Sequence, residues 1–188
     1  MKKDTLKYIG LGLIAVVLVF ANTMMVYKTF FAKNRLNPDY KKPVAVTNED
    51  IRRYADSLFV HRDSLRIDED EIMSNKRIII ENKDTLGFAF IVYESIPCPS
   101  CSNLNYVMIT DKDYTIRDIR FLKNIIEDYK IVPVDSFRVF SNQFLEMNFL
   151  KDDFTNIQTS NKIKKYSKYF IVSLLRYQEI TKAIRNEE

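Results

Sequence analysis

The chain has 188 residues with a formal net charge of +4, 46% hydrophobic and 29% charged residues, and 13 Phe and 11 Tyr. Those proportions suit one cored domain and exclude a disordered chain, while interleaved acidic and basic residues leave no extended basic face for nucleic acid. Only three glycines occur, and Gly10 and Gly12 precede the soluble part, so Gly87 stands alone there and neither a Rossmann fingerprint nor a P-loop can be built.

In chain order, the first element is an uncharged run from Tyr8 to Tyr27 behind Lys2, Lys3 and Lys7. About 20 apolar residues span a hydrocarbon core of roughly 30 Å, so residues 8–27 predict a transmembrane helix within an anchor over 1–31. The alternative is a cleaved signal peptide, with Val19-Phe20-Ala21 as the cleavage site. Lys28, Lys33, Arg35, Lys41 and Lys42 dilute the orientation signal, yet the short basic flank and the closely spaced cysteines place the domain outside the cytoplasm, on the periplasmic side. Residues 32–46, with two prolines and no period, read as a tether.

The domain is expected over 47–188. Thr47 and Asp50 form a capping-box pattern before a short helix carrying Ile51, Tyr54, Ala55 and Leu58 on one face. Asp63 to Ser74 reads as an exposed acidic connection; within it Asp68–Glu71 is a solvated face without EF-hand spacing, and His61 is a surface residue. RIII and LGFAFIVYE flank Asn82-Lys83-Asp84 as a hairpin, and NYVMIT and YTIRDIRFL flank Asp111-Lys112-Asp113 as a second. A helix follows Pro133 with Phe137, Phe140 and Phe144 on one side, and a longer one runs from Lys162 to Ile184. The fold class is α+β: a transmembrane helix plus one small domain with an antiparallel sheet of about four strands and flanking helices.

The one chemically distinctive motif is Cys98-Pro99-Ser100-Cys101, the only two cysteines. This spacing permits a small-ring disulfide, either a clip for the loop or a redox-active pair. A thioredoxin fold is not expected, because SNLNYVMIT turns to strand character without room for the helix that would stabilise a thiolate. A zinc site lacks ligands, since His61 is the sole histidine.

With these elements placed, NYVMITDKDYTIRDIRFLKN and DSFRVFSNQF together resemble the FMN-binding domain family of membrane-anchored, extracytoplasmic electron-transfer proteins, such as the flavin subunits of Na⁺-pumping and Rnf-type oxidoreductases. In that family a threonine in D-x-x-[ST]-G-A-T-x-[ST] carries the flavin phosphate. The stretch DFTNIQTSN from Asp153 puts Thr159 at that position, with Ser160 and Lys162 beside it, but lacks the motif's glycine. The resemblance covers Arg77 to about Asn161. It implies an FMN-binding-like domain, with FMN toward Thr159, Ser160 and Lys162 or with the site lost, working in electron transfer within a membrane redox complex. Two rivals stand beside it: a thiol–disulfide oxidoreductase using Cys98 and Cys101, and a non-catalytic scaffold or assembly subunit.

Overall fold

A computed structural model describes residues 18–26, 41–59, 65–127, 130–159 and 163–187. The chain divides into two compact units, Met1–Tyr40 and Lys41–Glu188. In the first, residues 18–26 are helical with Leu18, Val19 and Phe20 exposed; the rest of the expected span lies outside the described residues. Among the described residues no helix is long and apolar enough to cross a membrane. The second unit begins within the expected tether, so Lys41–Val46 belong to the domain.

The second unit is α+β. Its sheet is a five-stranded antiparallel meander in chain order: β1 (Arg66–Glu69), β2 (Lys76–Glu81), β3 (Asp84–Glu94), β4 (Leu104–Asp111) and β5 (Ile116–Phe121). A separate hairpin pairs β6 (Ile125–Glu127) with β7 (Lys130–Val132). Helix α1 (Asn48–Asp56) precedes the sheet; α2 (Val134–Ser141), a 3-10 turn (Asn142–Phe144) and α3 (Lys164–Glu187) follow it. His61 lies outside the described residues.

The sheet has one strand more than foreseen, and its origin is clear. β1 falls in the segment expected to be an exposed connection: it is an edge strand whose alternation is hidden by Arg66, Asp68 and Glu69, charges of the kind that blunt an open edge, and only Ile67 packs inward. The acidic run is also not all solvated. Asp70 accepts from the backbone N–H of Ile72 (3.0 Å) and Met73 (2.7 Å) and pairs with Lys76 at 2.9 Å, both side chains being 12% exposed. Burial works against its charge, but Lys76 and those N–H groups together hold the carboxyl below its ordinary range.

Local chemistry explains the turns. Asn82 and Lys83 join β2 to β3 with φ of 49° and 78°, the two-residue left-handed turn that matches strand twist. Leu86 and Arg117 are the extra residues at bulges, where the register steps from Ile79↔Gly87 to Ile80↔Thr85 and from Ile109↔Asp118 to Thr110↔Ile116. The second bulge accounts for the broken alternation of Ile116, Ile119 and Phe121. Gly87 is needed for close strand approach, because a Cβ there would lie 2.1 Å from the Thr110 carbonyl oxygen.

β4, an interior strand between β3 and β5, has seven of its eight residues buried. Tyr106 and Met108 face a core with Phe90, Val92, Phe137, Phe140, Phe144 and Phe170, while Val107 and Ile109 face Ile51, Ala55, Ile79 and Ala89. The Thr47–Asp50 capping box is present: Asp50 N–H donates to Thr47 Oγ1 at 3.1 Å, and Thr47 N–H to Asp50 Oδ2 at 3.0 Å.

Candidate functional site

The loop between β3 and β4 holds the two cysteines, bonded as a Cys98–Cys101 disulfide with Cα atoms 5.2 Å apart. Its tight turn follows from the residues present: Cys101 N–H donates to Cys98 O (3.2 Å), Cys98 N–H donates to Ile96 O (2.8 Å), and Pro97 and Pro99 are exposed. β4 begins at Leu104, so no helix starts behind Cys101. The two sulfur-bearing residues differ in access. Cys101 is fully buried and Cys98 half-buried, with Cys98 Sγ 3.4 Å from Ser100 Oγ.

Polar side chains hold the loop at both ends. On the entry side, Ile96 N–H donates to Asn103 Oδ1 (3.1 Å), and Asn103 Nδ2 donates to Lys41 O (2.8 Å) and Tyr93 Oη (2.6 Å). The Tyr93 hydroxyl also donates to Lys41 O at 2.9 Å. Lys41 closes the circuit, its Nζ donating to the carbonyls of Cys98 (2.7 Å) and Ile96 (3.3 Å). On the exit side, Ser102 N–H donates to Ile126 O and Ile126 N–H to Ser102 Oγ, both at 2.9 Å. The buried Tyr166 hydroxyl of α3 donates to Ser102 O (2.6 Å) and Ile126 O (2.5 Å). Buried Ser102 and Asn103 are thus satisfied, and unmaking any one such bond would cost about 1–3 kcal/mol.

The second predicted site is only partly described. Thr159 is half-buried, and Ser160 and Lys162 lie outside the described residues. Asp153, the first residue of the attachment-like stretch, closes a turn on itself: its carboxylate accepts from Thr155 N–H and Oγ1, each at 2.8 Å, and from Asn156 Nδ2 at 3.2 Å. The Thr155 bonds hold its carboxyl below the ordinary range. Ile157 N–H is turned inward to Phe154 O at 3.4 Å. Among the described residues Cys98 and Cys101 are brought together, and Thr159 bonds to neither.

Among the described residues, those of this turn do not suit a flavin phosphate. The Asp153–Thr159 turn has no glycine to let a phosphate ester approach, and the N–H groups of Thr155 and Ile157 are already engaged. Between the sheet and α3, where an isoalloxazine ring would stack, Phe170 instead packs on Tyr106 (centroids 4.9 Å apart), Phe144 (5.1 Å), Phe121 (5.6 Å) and Phe140 (5.9 Å).

Phe121 of the first resembling segment packs on Phe137 of the second, their centroids 4.5 Å apart, and the Asp111 turn of the first is bonded to the residues just beyond the second. Asp111 Oδ1 accepts from the N–H of Asp113 (3.0 Å) and Thr115 (2.9 Å), shaping the turn in which Tyr114 has φ 66°. Arg117, the bulged residue, donates from Nη2 to Asp111 Oδ2 (2.7 Å) and from Nη1 to Glu146 Oε2 (2.5 Å). Glu146 N–H donates to Ile116 O (2.9 Å), Ile116 N–H to Met147 O (2.8 Å) and Phe149 N–H to Tyr114 O (2.7 Å). Burial opposes the Asp111 charge, yet the Thr115 N–H and Arg117 outweigh it and lower the carboxyl below its usual range.

Sequence reasoning missed Lys41, Tyr93, Asn103, Ser102 and Tyr166 as parts of the Cys98–Cys101 site. Ser102 and Asn103, polar residues leading into an apolar strand, were the available signal for two of them. Lys41 had none, being 57 positions from Cys98. Among the described residues no group of three His, Cys, Asp or Glu gathers as a metal site. No family model, curated protein or solved structure matches this chain.

Proposed function

We propose that this chain is a membrane-anchored, extracytoplasmic electron-transfer accessory domain of FMN-binding-like architecture, in which the Cys98–Cys101 pair rather than a flavin is the redox group. The observation that carries this reading is the oxidised pair in a loop built to hold it, on a domain whose 153–159 turn and sheet–α3 interface are filled by the protein's own groups. A disulfide suits an oxidising compartment. The uncharged run over 8–27, with Leu18, Val19 and Phe20 exposed on a helix, suits a membrane anchor.

An absorbance spectrum of the purified full chain, with intact mass before and after reduction, tests the reading. A gain of two hydrogens with no band near ~450 nm is the expected result. A flavin band would overturn it in favour of the second reading, FMN held by the same domain.

A further inference from the structure

The geometry points to a thiol–disulfide exchange site with divided labour: a protein dithiol enters at Cys98 Sγ, and Cys101 is the buried sulfur that expels any monothiol. This rests on the reading of the pair as a redox group and names its substrate class and the order of its bonds.

Exchange requires a thiolate to approach a sulfur in line with the S–S bond. Cys101 is 0% exposed and offers no approach, whereas Cys98 is half-buried beside exposed Pro97 and Pro99. In the first step the partner's thiol gives its proton to solvent and bonds to Cys98 Sγ. The Cys98–Cys101 bond breaks, and Cys101 leaves with the electron pair and takes a proton from solvent.

Two reactions then compete for the mixed disulfide. Lys41, Asn103 and Tyr166 hold the loop at both ends, and Cys101 lies in the same four-residue loop, its Cα 5.2 Å from that of Cys98 in the closed form, so it can reattack Cys98 and eject the newcomer. A monothiol has no intramolecular answer to that reattack. A dithiol does: its second thiol loses a proton and attacks its own bonded sulfur, and Cys98 leaves with the pair and a proton from solvent. Ser100 Oγ, 3.4 Å from Cys98 Sγ, is placed to donate to that leaving thiolate. The balance is two electrons and two protons from the partner dithiol, which becomes a disulfide.

The experiment uses the full chain in detergent micelles, with near-UV circular dichroism to confirm the fold. Cys101→Ser and Cys98→Ser variants are treated with glutathione disulfide at pH 7. A glutathione adduct forming at Cys98 at least tenfold faster than at Cys101 is the expected result, because an accessible thiol reacts and a buried one is inert. The wild-type protein, in which folding is not at issue, is reduced in parallel by dithiothreitol and by glutathione at equal thiol concentration, and tandem mass spectrometry locates any mixed disulfide after an acid quench. Full reduction by dithiothreitol, at least tenfold less by glutathione, and an adduct on Cys98 would bear the proposal out. Equal trapping at the two cysteines, or equal reduction by the two reagents, overturns the division of labour while leaving the pair a redox group. A disulfide that opens only when the fold is lost overturns both.

Discussion

The two faces of the five-stranded sheet are covered by different chemistry. On one, α1 and the segment after it lay Ile51, Ala55 and Phe59 over Ile79, Ala89, Val107 and Ile109; on the other, α2, the 3-10 turn and α3 lay phenylalanines packed edge-to-face over Phe90, Tyr106 and Met108. The first is a thin aliphatic layer secured by a helix cap and a close strand approach. The second is a thick aromatic layer in which one ring, that of Phe170, touches four others. Stability is therefore concentrated on the α3 face, and fit is tightest on the α1 face.

Phe170→Ala should break the comparison most strongly. It removes the ring that Tyr106, Phe121, Phe140 and Phe144 share and should cost about 3–5 kcal/mol, measured by urea unfolding. Gly87→Ala tests the tight face, where the new Cβ meets the Thr110 carbonyl and lies 3.0 Å from the Phe59 ring; a loss of about 1–3 kcal/mol is expected by the same assay.

Asp111 and Asp70 give the sheet a pH dependence that neither apolar layer supplies. Their folded carboxyls titrate below the ordinary value of 3.8, so the unfolded chain binds protons first. The stability they contribute is complete above that value and is lost as pH falls through the lower folded values. Asp111→Asn should lower stability at pH 7 by about 1–2 kcal/mol and flatten the acid limb of a melting-temperature profile. An unchanged profile would remove Asp111 from that role. Thr47→Ala, which undoes the capping box, should have the smallest effect, about 1 kcal/mol, with its loss of amide protection confined to α1.

How legible each part was follows from how local its causes are. The capping box, the Asn82-Lys83 turn, the Asp111 turn and the Phe137–Phe140–Phe144 spacing are set by neighbours within a few positions, and the sequence patterns located them. β1 was hidden because an edge strand need bury only Ile67, and its charges read as a solvated connection. In the candidate site the CPSC motif was visible as a motif. Its supports were not, because Lys41 and Tyr166 reach it from either side across 57 and 64 positions, and no periodicity records such a meeting.

The grip of Lys41 on the disulfide loop also has a mechanical meaning. Lys41 is the first residue of the compact unit, and both its side chain and its carbonyl are fastened there, to Cys98 and Ile96 on one hand and to Tyr93 and Asn103 on the other. A pull along the preceding chain is met by this knot before it reaches α1, and the load passes into β3 and β4 at the middle of the sheet. The covalent ring at the knot keeps it from stretching. Tension on the chain is thus delivered to the loop that the Cys98–Cys101 bond closes.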